Sequence, residues 1–217
     1  MADAPTFSNG KVTTLFWDNG GVILTNGWDR DSRQKAVAQF NLEPKEFEER
    51  HDLMLNDFEE GKVTMDEYIR RVIFYQGHHQ RDFTIDDFRK FMFDQSQPFP
   101  DSLEFLGKLA RTRRYAMATL NNESLEINEY RIRTFRLRDY FEVFLSSCYL
   151  AMRKPTPEIY RQALKITQCE PEETVLIDDR RLNLEIAAEE GMRTIQFQNV
   201  EQLRADLAKL GVRADDQ

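Results

Sequence analysis

Short apolar runs alternate with amphipathic stretches along most of this 217-residue chain, and this alternation limits its fold more than any other feature. The apolar runs have the length of strands, whereas the stretches between them repeat their apolar residues at helical spacing. This order predicts an α/β fold with a doubly wound, mainly parallel, Rossmann-like sheet. The expected strands are Thr13–Trp17, Tyr115–Leu120, Val143–Ser146, Thr174–Ile177 and Thr194–Phe197, and the expected helices between and after the later strands are Asp101–Thr112, Leu125–Thr134, Pro157–Ile166, Arg181–Glu190 and Glu201–Lys209.

One segment interrupts this alternation directly after the first strand. From about Trp28 to Phe93 the chain reads as helical, with Pro44 placed to open a helix and Gly61 placed in a turn. We therefore expect two domains. Residues 1–25 and 95–217 form an α/β core, and residues 26–94 form a small helical cap inserted after the first strand.

Composition restricts the partners of the chain. The formal net charge of -8 opposes general binding to nucleic acid or to anionic membranes. No segment approaches the roughly 18 consecutive apolar residues of a membrane span, and the N-terminal residues do not resemble a secretion signal. The two cysteines, Cys148 and Cys169, suit a reducing compartment. We expect a cytoplasmic protein, a monomer or a homodimer, whose partner is a small molecule.

A single carboxylate ends the first predicted strand. Asp18 follows the apolar run 13–17 and is itself followed by Asn19, Gly20 and Gly21. Small residues after a strand allow backbone amides to approach a ligand closely. Taken alone, however, an Asp followed by two glycines is more typical of a turn or a helix cap than of a nucleophile.

Polar motifs follow three more of the predicted elements. The pair Asn121-Asn122 closes the second strand, Lys154 precedes a helix, and the pair Asp178-Asp179 closes the fourth strand. Ligands of open α/β sheets bind at the carboxyl ends of the strands. We therefore expect these motifs and Asp18 to line one crevice.

The acidic residues and the lysine in this set suit a magnesium and phosphate site. Asp18, Asp178 and Asp179 offer hard oxygen ligands, which Mg²⁺ binds together with waters and substrate phosphate. Lys154 supplies a point charge that can face a phosphate or the nucleophile. Asp178 and Asp179 alone would be equally compatible with capping of the helix that follows them.

The remaining polar groups are candidate substrate-binding groups. The backbone amides of Asn19 and Gly20, with the side chains of Asn121 and Asn122, can donate to phosphoryl oxygens as charge redistributes. Carboxylates are known covalent nucleophiles in phosphoryl transfer. The combination predicts that Asp18 forms an aspartyl-phosphate intermediate.

In this order and approximate spacing, the four motifs resemble those of the haloacid dehalogenase (HAD) superfamily. The segments 17–22 and 153–155 are most similar to the branch that contains α-D-glucose-1-phosphate phosphatase and the N-terminal phosphatase domain of soluble epoxide hydrolases. The resemblance implies that Asp18 is the nucleophile and that Lys154 balances charge. It also implies that Asp18, Asp179 and the backbone carbonyl of Gly20 ligate Mg²⁺, with Asp178 beside them or acting through water.

Two positions depart from the superfamily pattern. Most of its phosphatases carry a second Asp, the general acid and base, at the position of Gly20, although the glucose-1-phosphate phosphatase branch resembles this chain in having Gly there. General acid–base assistance is typically worth about 10²–10⁴-fold. Its loss predicts a preference for leaving groups that need little protonation and slow hydrolysis of the aspartyl-phosphate. Asn121 stands where Ser or Thr is usual, and its amide can still donate to a phosphate.

Three functions remain open from the sequence. The first is a Mg²⁺-dependent phosphomonoesterase that acts on a small phosphorylated metabolite such as a sugar phosphate. The second is a 2-haloacid dehalogenase, which would use Asp18 without metal and would not need the Asp178-Asp179 pair. The third is a non-catalytic phosphate-binding or regulatory protein, for which Gly20 and Asn121 are the best support.

The cap is expected to decide which substrate enters, because it would close over the crevice and exclude water. The adjacent pair His78-His79 has no other nearby ligand in the sequence and is expected to be a solvated loop rather than a metal site. Helical phase alone does not decide which cap side chains face the site; the candidates are Trp28, Arg30, Phe58, Tyr68, Arg70 and Arg71.

Overall fold

The five predicted strands form one parallel sheet in the computed structural model, which describes residues 10–75 and 80–214. The strand order is β3-β2-β1-β4-β5, and every neighbouring pair is parallel. The predicted α/β fold with a parallel, Rossmann-like sheet is confirmed. The strand bounds are β1 Thr14–Trp17, β2 Ala116–Asn121, β3 Val143–Ser146, β4 Thr174–Asp178 and β5 Arg193–Gln196.

The central strand β1 is buried on both faces. Leu15 and Trp17 pack into one apolar cluster with Phe105, whereas Phe16 packs into a second cluster with Tyr160 on the other side of the sheet. Side chains of successive strand residues point to opposite faces, so a continuous apolar run fits a strand covered by helices on both sides. This arrangement explains why the first strand is apolar until Asp18.

The helices of the α/β core begin and end within two residues of the predicted bounds where a helix was predicted. Pro100 and Pro157 each occupy the first turn of a helix, and Gly191 has a φ of 87° just after the helix that precedes β5. A glycine adopts this conformation without strain. The helices are α5 Pro100–Thr112, α6 Leu125–Thr134, α7 Ser147–Leu150, α8 Pro157–Thr167, α9 Arg181–Glu189 and α10 Val200–Lys209.

In the described part of the chain, four helices lie between β1 and α5 and pack around an apolar cluster to which Ile127 of α6 also contributes. Side chains cap several of their N-termini: Asp29 accepts from the Ser32 amide, and Thr84 forms a capping box with Asp87. The division into a core and a cap at residues 25/26 and 94/95 stays a prediction. His78 and His79 lie outside the described residues. The four helices are α1 Arg30–Gln39, α2 Pro44–Glu59, α3 Met65–Val72 and α4 Ile85–Asp94.

The chain enters and leaves this helical region through two linkers that lie side by side. The amide of Thr25 donates to the carbonyl of Gln97 at 2.8 Å, and Leu24 forms an antiparallel bridge with Pro98. The Thr25 hydroxyl also donates to the carbonyl of Gln95 at 2.6 Å. The two chain connections between the helices and the sheet therefore lie at one place.

None of the helices in the described part of the chain is both long enough and apolar enough to cross a membrane.

Candidate active site

A buried lysine lies between two buried carboxylates at the carboxyl edge of the sheet. The Lys154 Nζ lies 2.5 Å from Asp178 Oδ2 and 3.3 Å from Asp18 Oδ1. Lys154 is 2% exposed, Asp178 0% and Asp18 8%. Buried charges are stable only when they are paired and hydrogen-bonded, so each of these groups depends on the others.

The strand register brings the two carboxylates together. Trp17 of β1 pairs with Ile177 of β4, and the amide of Asp18 donates to the carbonyl of Ile177 at 2.9 Å. Asp18 and Asp178 therefore each follow the same register position of adjacent parallel strands. The sequence predicted this meeting at the sheet edge.

The side chain of Asn122 binds the backbone of Lys154. Its Nδ2 donates to the carbonyl of Lys154, and its Oδ1 accepts from the amide of Lys154, both at 2.8 Å. The carboxamide thus pairs with Lys154 as a neighbouring strand would. Both polar atoms of this side chain are thus engaged with Lys154. A role for Asn122 in binding substrate stays a prediction.

Asp178 and Asp179 are adjacent but differ in their partners. Asp178 accepts from the Arg180 amide at 2.8 Å and from the Asn183 Nδ2 at 3.0 and 3.1 Å, in addition to Lys154. Asp179 Oδ1, by contrast, is buried without a hydrogen-bond partner among the described residues. An unpartnered buried carboxylate oxygen is costly, so Asp179 is the acid with a free ligand atom.

The three acids together fit a hard cation. Asp18, Asp178 and Asp179 offer carboxylate oxygens that all lie within 4.8 Å of one another. Magnesium typically takes one or two carboxylates and completes its shell with waters and phosphate oxygens. The donor set and the free oxygen of Asp179 therefore fit Mg²⁺.

Burial of the cluster raises the pKa of two of its carboxyl groups when no cation is bound. Burial raises the pKa of Asp18 to about 7, and Asp178 and Asp179 add to this effect, although Lys154 opposes it. Burial also raises the pKa of Asp179. Burial would lower the pKa of Lys154, but the charges of Asp178 and Asp18 outweigh it and raise that pKa. The lysine is thus held as a cation.

The residues after Asp18 make a tight turn. The Asn19 carbonyl accepts from the amides of Ile23 and Leu24 at 3.0 and 2.9 Å, and the Asn19 amide donates to Asp18 Oδ1 at 2.8 Å. Gly21 has a φ of 73°, and a Cβ there would lie 2.4 Å from Asp179 Oδ2. Only glycine fits this position, because both the backbone conformation and the close carboxylate exclude a side chain.

A cleft of about 630 Å³, including its open mouth, lies over this cluster. Asp18, Gly20 and Lys154 line its floor on the core side. The helical side contributes a largely apolar wall formed by Trp28, Leu55 and Phe58. The cleft thus joins a charged floor to an apolar wall, as small-molecule sites commonly do.

The model of the family described as haloacid dehalogenase-like hydrolase matches residues 31–197. The chain belongs to this family. It is 27% identical over 203 residues to flavin mononucleotide hydrolase 1 of Arabidopsis thaliana chloroplasts, an alignment that covers 93% of this chain and 79% of that protein. It is 25% identical over 206 residues to D-ribitol-5-phosphate phosphatase of Bacteroides thetaiotaomicron, covering 90% and 97% of the two proteins.

A solved structure supports the same family. A HAD-family enzyme of Bacteroides thetaiotaomicron, crystallised as a magnesium complex, superimposes with a TM-score of 0.72 at 25% identity. The match covers 86% of this chain and 93% of that one. The predicted resemblance to the HAD superfamily is confirmed, and the chain is a HAD-like hydrolase.

Asn121 is placed differently from the other predicted site residues of this HAD-like hydrolase. Its Oδ1 accepts from the Ser146 hydroxyl at 2.9 Å, and its Nδ2 donates to Asn128 Oδ1 at 3.4 Å. The side chain thus links β2 to β3 and α6 and is 1% exposed. A role for it in donating to phosphate stays a prediction.

The candidate residues of the cap separate into two groups. Trp28 and Phe58 line the cleft, and Tyr68 is buried behind them. The indole Nε1 of Trp28 donates to the Tyr68 hydroxyl at 2.7 Å, and the Phe58 ring stacks on the Tyr68 ring at 4.2 Å. The arginines lie elsewhere: Arg30 is exposed, and Arg70 and Arg71 line a separate outer groove.

Sequence reasoning missed a buried ion pair in the wall of the cleft. Arg131 Nη1 lies 2.8 Å from Glu123 Oε2, and both residues line the cleft. The guanidinium also donates to the Ser96 hydroxyl at 3.0 Å and to the Thr25 carbonyl at 2.8 Å. One signal was available: Arg131 is four residues after Ile127, so it lies on the buried face of α6.

Proposed function

We propose that this HAD-like hydrolase is a magnesium-dependent phosphomonoesterase that acts on a small phosphorylated metabolite, such as a sugar phosphate, through an aspartyl-phosphate. The observation that carries the proposal is the buried cluster in which Lys154 lies between Asp18 and Asp178, with the free Asp179 oxygen beside it. Relatives named for flavin mononucleotide and ribitol 5-phosphate support a phosphate ester as substrate.

The proposed reaction has two displacements at phosphorus. In the first, a carboxylate oxygen of Asp18 forms a bond to phosphorus, and the ester oxygen leaves with the bonding electron pair. In the second, water attacks the phosphorus of the aspartyl-phosphate, which releases inorganic phosphate and regenerates the Asp18 carboxylate. Lys154 keeps positive charge beside Asp18 throughout and balances the negative charge of the phosphoryl group.

The cation would be held by Asp18, Asp179 and the backbone carbonyl of Gly20. When bound, Mg²⁺ would supply positive charge against the phosphoryl oxygens and favour the ionised form of Asp18. Asp178 is already engaged by Lys154, Arg180 and Asn183, so we assign it the role of positioning the lysine. The backbone amide of Gly20 is the proposed donor to phosphoryl oxygens, and the Asn19 amide, which donates to Asp18 Oδ1 in this structure, would join it only on leaving that bond.

The apolar wall of the cleft would receive the organic part of the substrate. Trp28 is fixed by its hydrogen bond to Tyr68 and by edge contacts with Phe47, Phe88 and Phe91. A rigid aromatic wall over a charged floor excludes water from the reacting groups. The phosphate would therefore bind on the core side of the cleft and the leaving group on the side of the helical region.

A screen of phosphorylated metabolites with and without Mg²⁺ tests the proposed function. We expect phosphate release that requires Mg²⁺ and is abolished in Asp18→Asn, whereas Asp206→Asn on α10 should leave activity unchanged. Acid quenching of the parent enzyme during turnover should trap phosphate on the protein. Undiminished activity in Asp18→Asn would contradict the proposal.

The alternative activities give different results in the same screen. Chloride release from 2-haloacids without metal would instead indicate a dehalogenase, and phosphate binding with no turnover across the panel would indicate a regulatory protein.

The two separate free cysteines support a reducing compartment such as the cytoplasm. Sedimentation would distinguish the proposed monomer from the proposed homodimer.

A further inference from the structure

The side chain of Asn26 occupies the space beside Gly20 that a side chain at position 20 would need. A Cβ added to Gly20 would lie 2.6 Å from Asn26 Oδ1 and 3.5 Å from the Asn26 Cα. The turn after Asp18 causes this approach, since Gly20 forms a bridge with Leu24 and the chain then passes back over it. The separation of 2.6 Å is close to the reach of a carboxylate oxygen from its own Cβ. The atom at this place is the acceptor Oδ1, and a half-turn of the carboxamide about its last torsion would put the donor Nδ2 there instead.

Asn26 also lines the cleft with Asp18 and Lys154. Its carboxamide has no hydrogen-bond partner within residues 10–75 and 80–214. A polar side chain that is free and partly exposed in a cleft is available to bind a ligand.

The other acids of the cleft wall are engaged elsewhere. Glu123 pairs with Arg131 and accepts from the Ser124 amide, Glu59 pairs with Arg153, and Asp29 caps α1 through the Ser32 amide. These three carboxylates, which are not part of the cluster around Lys154, are therefore engaged in ion pairs or in hydrogen bonds to backbone amides. Asn26 is the polar group next to the position where a general acid is missing.

We propose that Asn26 donates a hydrogen bond from its amide to the leaving-group oxygen of the phosphate ester, in place of an acid at position 20. This inference rests on the proposed phosphatase function and deepens it. As the P–O bond breaks, negative charge grows on the leaving oxygen, and a hydrogen bond to that oxygen is stronger in the transition state than in the substrate.

An amide cannot complete the proton transfer that a carboxylic acid would perform. In the proposed step, the electron pair of the P–O bond stays on the leaving oxygen, Asp18 bonds to phosphorus, and the leaving oxygen later takes its proton from water. The substrate class that fits is thus phosphate derivatives with weakly basic leaving groups, such as anomeric sugar phosphates, acyl phosphates and aryl phosphates.

The test is a series of aryl and alkyl phosphates whose leaving groups differ in pKa, measured on the parent enzyme and on Asn26→Ala and Asn26→Leu. A hydrogen bond to a charged group predicts a loss of about ten- to a hundredfold in kcat/KM for the most basic leaving groups. The loss should shrink steadily as the leaving group becomes more acidic. An equal loss for every leaving group, or no loss, overturns the proposal.

Leu55→Ala is the matched control, because Leu55 lines the same cleft and has no hydrogen-bonding group. Its effect on kcat/KM should not depend on the pKa of the leaving group. Binding of inorganic phosphate, measured by calorimetry, should agree within about twofold among the parent, Asn26→Ala and Asn26→Leu, because phosphate lacks a leaving group. A large loss of phosphate binding would show that Asn26 acts on the phosphoryl group instead and would overturn the assignment.

A double-substitution cycle tests whether the two positions share one space. In Gly20→Asp the new carboxyl should displace the Asn26 side chain and take over its function, so that adding Asn26→Ala has little further effect. Independent effects of the two substitutions would contradict the proposal. Absence of turnover in the parent enzyme on every phosphate of the series would instead contradict the proposed function itself.

Discussion

Lys154 is the residue on which the electrostatics of the site depend. Its ammonium is buried between Asp18 and Asp178, and its backbone is bound by Asn122. Removing one member of a buried ion pair leaves an uncompensated charge, which typically costs about 3–5 kcal/mol. The lysine therefore serves folding as well as the proposed chemistry.

Lys154→Met should lower the free energy of unfolding by about 3 kcal/mol at pH 8 and abolish phosphatase turnover. Added Mg²⁺ should restore part of the lost stability, because the cation supplies positive charge to the same carboxylates. Thermal unfolding with and without Mg²⁺ measures both effects. The matched control is Lys108→Met, which removes an exposed pair with Glu104 and should cost less than about 1 kcal/mol. Equal losses in the two variants would contradict the assigned role of Lys154.

Asp18 should couple magnesium binding to pH. Because its pKa is raised to about 7 in the metal-free protein, a proton must leave before the carboxylate can ligate a cation. Magnesium affinity should therefore rise by up to about tenfold per pH unit below pH 7 and level off above it. Calorimetry between pH 6 and pH 8 measures this dependence, and Asp18→Asn should remove it. A flat profile in the parent protein would show that Asp18 is already ionised.

The raised pKa of Asp18 also makes the free energy of unfolding depend on pH. A carboxyl whose pKa is higher in the folded state than in the unfolded state holds a proton that the unfolded chain has lost. Asp18 thus favours folding at low pH, and this contribution is lost as pH rises from about 4 to about 7. Bound magnesium opposes that loss by favouring the ionised form.

Among the helices, hydrogen bonds connect Trp28, Tyr68 and His51 in a chain. Trp28 donates to the Tyr68 hydroxyl, which in turn lies 2.7 Å from His51 Nδ1. The hydroxyl can donate its own proton to Nδ1 of a neutral imidazole, which then carries its proton on Nε2. Burial and the charge of Arg33 lower the pKa of His51 to about 4, in agreement with this assignment.

His51 should make the folded protein sensitive to mild acid. The unfolded chain binds a proton at His51 below about pH 6.5, whereas the folded protein does so only near pH 4. The contribution of His51 to stability is therefore lost as pH falls through this window, by up to about 3 kcal/mol, and it opposes the contribution of Asp18. Denaturant unfolding from pH 7.5 to pH 4.5 should therefore show a change in stability toward acid that is less favourable in the parent protein than in His51→Gln. Identical pH dependence in both proteins would rule out His51 as its source.

The elements themselves could be predicted closely from the sequence, and the reason is local. Strands such as Val143–Ser146 and helices such as Leu125–Thr134 have the predicted bounds because apolar periodicity and helix-ending residues act over a few positions. The meeting of Asp18 with Asp178 also followed from parallel strand order. These features require only the sequence pattern and the topology of the sheet.

Side-chain partners were less predictable because they depend on residues far apart in the chain. Asn121 and Asn122 are neighbours in sequence, yet one binds Ser146 and the other binds Lys154. Alternation along and beyond β2 sends them to different surroundings. The contact of Asn26 with Gly20 likewise depends on the path of the turn, which propensities alone do not specify.

Arg131 connects the sheet to the helical region. Its guanidinium pairs with Glu123 on the core side and donates to Thr25 and Ser96, one in each linker. A second connection is the pair between Arg153 and Glu59, at 2.5 Å. The position of the helical region over the cleft is thus set by charged contacts as well as by the linkers.

Arg131→Met should destabilise the protein by about 3–5 kcal/mol, because Glu123 would remain buried without its partner. It should also increase cleavage by proteases in the segments 24–28 and 95–99, which lose their shared donor. Adding Glu123→Gln to Arg131→Met should recover part of the stability, since no buried charge then remains. Arg181→Met, which breaks an exposed pair with Glu185, is the control and should change stability by less than about 1 kcal/mol.

The paired linkers have a consequence for how such proteins can diversify. Because the chain leaves the sheet at Thr25 and returns beside it at Gln97, the four-helix insert meets the core as a cassette with adjacent ends. Exchanging that cassette for one from a relative would require a matched join at two neighbouring backbone positions and an acidic partner for Arg153 in place of Glu59. The acids and the lysine on the floor lie outside the exchanged segment, so under the proposed function the range of accepted substrates would change while the reaction stays the same.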